Sequence, residues 1–138
     1  RATIAAIDVN PNPEALGAGT PGVAAYSWEL APNPGGFPET GNLGFSLTVQ
    51  ASNNASSAAI MLLGTGVFTP PLTVLGATVY VDPTTGMTVP FPFQGSITIQ
   101  LPIPNARSLR GLQIFAQTVH SEASPALAAS PGVEITIL

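Results

Sequence analysis

Strict alternation of apolar and polar residues is the clearest local pattern in the chain, and it recurs. Phe45-Ser46-Leu47-Thr48-Val49-Gln50 and Ser96-Ile97-Thr98-Ile99-Gln100-Leu101 each put apolar side chains on one face and hydroxyls or amides on the other. A period of two is the signature of a half-buried β-strand. Val133-Glu134-Ile135-Thr136-Ile137 repeats the pattern near the end of the chain. Tyr26-Ser27-Trp28-Glu29-Leu30 repeats it with aromatic residues inward, which predicts Trp28 in the core and not on a sugar-binding surface. Less regular runs rich in branched or apolar residues, at 2–9, 58–63, 73–81 and 112–119, bring the expectation to about eight strands.

All 15 prolines fall outside these runs, as strands that use every N–H in a ladder require. Asn33-Pro34-Gly35-Gly36, Asp82-Pro83-Thr84-Thr85-Gly86 and Ser130-Pro131-Gly132 place proline and glycine where the chain must reverse. Helix is confined to one candidate, a single 3₁₀ or α turn at 105–109 that Asn105 is positioned to cap before Gly111. Short strands, Pro/Gly turns and no crossover helices predict an all-β fold. The expected form is a single antiparallel β-sandwich over residues 1–138, jelly-roll or immunoglobulin-like, with a closed barrel as the alternative.

Composition narrows the function classes. Charged residues are 7% of the chain, against roughly 25% in an ordinary soluble domain. The longest apolar run, 58–63, is far short of a bilayer span, so no membrane-crossing helix is expected. With 45% apolar residues the chain is not of the disordered class. A net charge of -4 without a basic patch argues against nucleic acid as a partner. Lysine is absent, Arg1, Arg107 and Arg110 are the only cations, and the surface is rich in Ser, Thr and Asn. That surface, with a start at Arg1, reads as a mature extracellular or cell-surface protein whose export signal is gone. With no cysteine there is no disulfide framework and no thiol chemistry.

The inventory for catalysis is thin: one histidine, no cysteine and no lysine. Ser46, in Gly44-Phe45-Ser46-Leu47-Thr48, lies within a strand and lacks the second glycine of a nucleophile elbow. No spacing pairs two of the carboxylates Glu14, Glu29, Glu39, Asp82, Glu122 and Glu134 as a glycosidase needs. No enzyme and no cofactor are expected, and His120 is expected as a partly exposed, hydrogen-bonded residue ending a strand. Asp8-Val9-Asn10-Pro11-Asn12 begins like a calcium loop, but Pro11 and Pro13 stiffen it and position 12 of the loop is Gly19, not Glu, so no metal is expected. Asn54-Ala55-Ser56 is a glycosylation sequon in a polar turn. Phe91-Pro92-Phe93 offers the better pair of surface aromatics for a glycan contact.

The N-terminal region is the most suggestive. Residues 2–9, with Ile4, Ile7 and Val9, read as an apolar strand, and residues 10–22 as a Pro/Gly-rich tether. Such a strand pairs in its own sheet or, by β-strand addition, in a neighbour's. A surface poor in charge favours the second, because surfaces buried between subunits lose charged residues first. The expected partner is therefore another copy of the chain, in a homo-oligomer or polymer, with glycans the alternative.

Pro104-Asn105, Leu109, Gly111-Leu112-Gln113-Ile114-Phe115, Gln117 and Ser130-Pro131-Gly132-Val133-Glu134-Ile135-Thr136-Ile137 together resemble the C-terminal β-sandwich domain of secreted bacterial proteins of planctomycete type. Gly41-Asn42-Leu43-Gly44-Phe45-Ser46-Leu47 and Ala59-Ile60-Met61-Leu62-Leu63-Gly64 are also similar to it. The resemblance implies secretion and a β-sandwich and supplies no catalytic residues. The chain departs from it by lacking the cysteines of many relatives.

In the same stretch Leu109 is expected to fill the end of the core and Gly111 to permit a turn. Leu112, Ile114, Phe115 and Ala116 are expected to be buried, and Gln117 to pin a loop through its amide. The readings converge on a secreted structural protein that self-assembles, as a filament or surface-layer subunit, by donating its N-terminal strand. A carbohydrate-binding or adhesion module is the second reading. In the first, Arg107 and Arg110 meet carboxylates of a neighbouring subunit such as Glu14 or Glu39.

Overall fold

The computed structural model describes residues 14–28, 36–54, 56–122 and 126–138. Residues 2–9 and the Asp8–Asn12 motif lie outside them. Eleven strands run through the described residues and no helix exceeds one 3₁₀ turn. The main sheet is antiparallel throughout, in the order β1 (Glu14–Gly17), β11 (Gly132–Thr136), β9 (Gln113–Ser121), β4 (Ser56–Gly64), β7 (Gly86–Gln94), β8 (Ser96–Gln100), β3 (Ser46–Ala51), β2 (Tyr26–Trp28), with β10 (Leu127–Ala129) also paired to β9. Strands β7 and β8 pair at a single position, Gln94 with Ser96. There the chain turns a corner at Gly95, which has a positive φ of 77° that glycine alone adopts without cost.

The corner divides the sheet into two layers that face each other as a β-sandwich. Tyr26, Trp28, Leu47 and Val49 of the β2-β3-β8 layer pack in one cluster with Ala59, Met61, Phe93, Ala116, Val133 and Ile135 of the β1-β11-β9-β4-β7 layer. Alternation sends every second residue of each strand into this core. Trp28 is buried as expected, and its indole N–H donates across the sandwich to the Pro131 carbonyl at 2.7 Å.

A third, smaller layer covers part of the outer face. β5 (Val67–Val74) and β6 (Ala77–Val81) form a hairpin of their own. Its Val79 and Val81 pack on Leu62 and Phe115 in a second apolar cluster. Gln117, buried on that face of β9, binds the layers together: its carbonyl accepts from Tyr80 N–H at 2.8 Å, and its amide donates to Thr78 and Ser130 carbonyls at 2.8 and 3.0 Å. The amide pins a strand as well as the expected loop.

Several sequence expectations change. The run 73–81 is not one strand but the β5–β6 hairpin, turned at Leu75 (φ 47°) and Gly76 (φ 88°). Gly86–Gln94, not anticipated, is a nine-residue strand, so the strands outnumber the eight expected. Prolines do enter strands: Pro70 and Pro71 lie in β5, Pro90 and Pro92 in β7. Glu14–Gly17, within the expected tether, pairs with β11. The 3₁₀ turn Arg107–Leu109 is preceded by Ala106 without a side-chain cap, so Asn105 does not cap it. Gly111 does adopt the positive φ its turn needs (86°), but Leu112 is exposed instead of buried.

Replacing Gln117 by Ala strands the Tyr80 N–H and the two carbonyls in a buried setting. Leaving such groups unsatisfied is expected to cost about 2–4 kcal/mol, read as a lower urea midpoint at unchanged slope.

Candidate functional site

Two features stand out from the packing: a polar constellation inside the sandwich and an open, apolar side. The first is centred on His120, which is buried and not, as expected, partly exposed. Its ring stacks on Tyr26 at 3.6 Å between centroids, 9° from parallel, and Phe93 meets it edge-on at 4.9 Å. Nδ1 lies 3.0 Å from Ser57 Oγ and Nε2 lies 2.9 Å from Thr118 Oγ1. Burial lowers the imidazole pKa from 6.5 to about 4, against the pull of Glu122.

Glu122 is bonded elsewhere. Its carboxylate accepts from Tyr26 Oη at 2.6 Å and from the N–H groups of Val23 and Ala24 at 2.8 and 3.2 Å. Burial works to raise its pKa, but these hydrogen bonds and the attraction of His120 outweigh it and hold the carboxyl below its usual value. Tyr26 is pushed up to about 12 by burial and then by its bond to Glu122. A neutral imidazole bridging two hydroxyls, with the carboxylate engaged by Tyr26, is a clamp. It fixes the three-residue β2 and the chain leading into it against β9.

The second feature follows from the corner. Antiparallel partners share a face, so Met87, Val89, Phe91 and Phe93 of β7 point inward with Leu63, Met61, Ala59 and Ser57 of β4. Their exposure rises away from the corner: Phe93 3%, Phe91 half-buried, Val89 41% and Met87 56%. The β2-β3-β8 layer covers Phe93 and diverges from β7 before it reaches Met87. Near the open end lies an apolar cavity of about 410 Å³, lined among others by Phe45, Met87, Leu101, Leu109 and Ile137.

Both strands bordering this opening have free backbone edges among the described residues. Leu101 N–H donates to Phe45 O, and Ala51 N–H donates to Gly95 O, both at 2.8 Å. Odd positions of β8 therefore face β3, and the N–H and C=O of Thr98 and Gln100 face the opening. β7 keeps nine consecutive pairs with β4 despite Pro90 and Pro92. Their nitrogens must then point to the opening, where they remove two donors and leave the carbonyls as acceptors.

The other expected site residues separate. Ile4, Ile7 and Val9 lie outside the described residues. Arg107 and Arg110 are exposed on the 3₁₀ turn whose Leu109 lines the cavity, as expected of a solvent-facing corner. Neither meets Glu39, which is exposed, or any carboxylate among the described residues. Asn54 is exposed beside the Gly95 corner. The glycan platform is corrected: Phe93 is core and Phe91 half-buried, because odd residues of β7 face inward. Met87 and Val89, missed in the sequence, occupy the exposed positions instead.

The clamp makes stability pH-dependent. Between pH 6.5 and about 4 the unfolded chain binds a proton at His120 that the folded chain refuses, so stability falls as pH drops through that window. With solvent screening the loss is expected to be about 1–2 kcal/mol by pH 5. Below it, Glu122 adds a further loss as its depressed carboxyl protonates. Urea titrations at pH 7 and pH 5 check this, and His120→Phe is expected to flatten the difference. Comparison with protein-family models, curated proteins and solved structures finds no match to this chain.

Proposed function

We propose that this chain is a secreted structural protein whose copies join by β-strand donation, residues 2–9 of one copy filling the open side of another. The observation that carries the reading is the opening between β7 and β8, where free backbone edges flank exposed inward-facing Met87 and Val89. A strand laid there gains main-chain hydrogen bonds from Thr98 and Gln100 and covers the apolar face. Burying side chains of this kind contributes about 1.5–3 kcal/mol each.

Residues 2–9 have the chemistry to do so: apolar, with Asp8 as their one charge. The point from which they lead, Glu14, lies far from the opening of the same copy. Glu14 stands on the row Glu14, Glu134, Phe115, Gly64, Gly86. At ~4.8 Å per strand, a strand beyond β7 lies ~24 Å from β1 around the sheet. Five residues, from Glu14 back to Val9, span at most ~18 Å. The extracellular setting is supported by the lysine-free, weakly charged composition.

Deleting residues 1–12 is expected to leave a folded monomer where the full chain forms larger species in light scattering. Gln100→Pro removes an N–H that meets no acceptor among the described residues, and is expected to give the same monomer. Full-length chain that remains monomeric at all concentrations contradicts the proposal.

A further inference from the structure

The apolar cavity at the open end of the sandwich has the chemistry of a ligand site. We infer that it takes the tail of a medium-chain alkyl carboxylate, with Arg107 and Arg110 meeting the head at its rim. The inference does not rest on strand donation: every residue it uses belongs to one copy and lies among the described residues.

The cavity has a closed floor and an open rim. Phe45 leads into β3, Ile103 follows β8, and Ile135 and Ile137 come from β11 and its continuation; all four line the cavity and are buried. Met87, Pro104 and Leu112 line the same space but are exposed, which makes them the rim. Every described lining residue is Phe, Leu, Ile, Met or Pro. Water there gains no side-chain hydrogen bond, so an apolar group displaces it favourably. At about 410 Å³ the cavity falls in the range of small-ligand pockets, roughly 300–1,000 Å³. It lies between two sheet layers, which in sandwiches pack roughly 10 Å apart, a slot whose width suits an alkyl chain.

Charge decides what the tail is attached to. Leu101, Pro104, Leu109 and Leu112 make one stretch of chain a wall of the cavity. Arg107 and Arg110 stand on that stretch, exposed, in and just after its 3₁₀ turn. Apart from Arg1 they are the only cations of the chain, and neither meets a carboxylate among the described residues. A guanidinium fork matches the geometry of a carboxylate, so a tail seated in the cavity places its head where such a partner is free. Glu39 lies on the neighbouring segment, whose Gly41 N–H donates to the Ile103 carbonyl. With the net charge of -4, it disfavours heads that carry more than one negative charge.

Calorimetric titration of the full-length chain with butyrate, hexanoate and octanoate tests the site. Affinity is expected to rise about fourfold for each methylene buried. A diazirine-bearing octanoate is expected to label the stretch from Leu101 to Leu112, and not Ile60 on the outward face of β4. Arg107→Gln with Arg110→Gln, both at exposed positions, is expected to weaken octanoate about fivefold and to leave 1-octanol unchanged. No binding of octanoate, affinity that does not grow with chain length, or labelling centred on Ile60 would overturn the site. Octanoate affinity unchanged in the doubly substituted chain would overturn the role of the arginines and with it the choice of a carboxylate.

Discussion

Everything distinctive about this molecule depends on the single paired position between β7 and β8. Two layers joined by a full-length ladder would close the sandwich on that side. Joined only at Gln94 and Ser96, around a glycine that takes the left-handed turn, they part like a hinged cover. The inward face of β7 is consequently covered at Phe93 and exposed at Met87. The apolar cavity and the free edge of β8 are consequences of the same divergence.

The rest of the fold holds that shape with buried polar contacts more than with charge. The described residues bring their carboxylates and cations into no ion pair that fixes the layers. Gln117 joins the outer hairpin to the central layer, and the Tyr26, His120 and Glu122 clamp joins the shortest strand to β9. Gln117, Tyr26 and His120 make their bonds in the buried interior, where such bonds are strong and their loss is costly, and Glu122 holds Tyr26 from a half-exposed position. The clamp sits toward the corner, beside Phe93 and Ser57, at the opposite end of β7 from Met87.

Much of this fold was legible in the sequence. Strands with one buried face, such as Ser46–Ala51 and Ser96–Gln100, announce themselves by alternation, and Trp28 falls inward by the same parity. β7 was not, because Pro90 and Pro92 read as strand breakers. They are tolerated because their nitrogens face an edge with no partner strand among the described residues. The β5–β6 turn was hidden for a different reason: Leu75 at positive φ carries no turn signature. His120 reads as a surface residue until Ser57, distant in sequence, supplies its hydrogen bond inside the core. The exposure of Met87 and Val89 depends on how far the opposite layer extends, a property of three-dimensional spacing that no local pattern encodes.

Amide hydrogen exchange at Thr98 and Gln100 reads out whether a strand occupies this edge. These N–H groups face the opening and meet no acceptor among the described residues. With donation, both are expected to be protected in the full-length chain and to exchange freely in a chain lacking residues 1–12. Equal, rapid exchange in the two would contradict it.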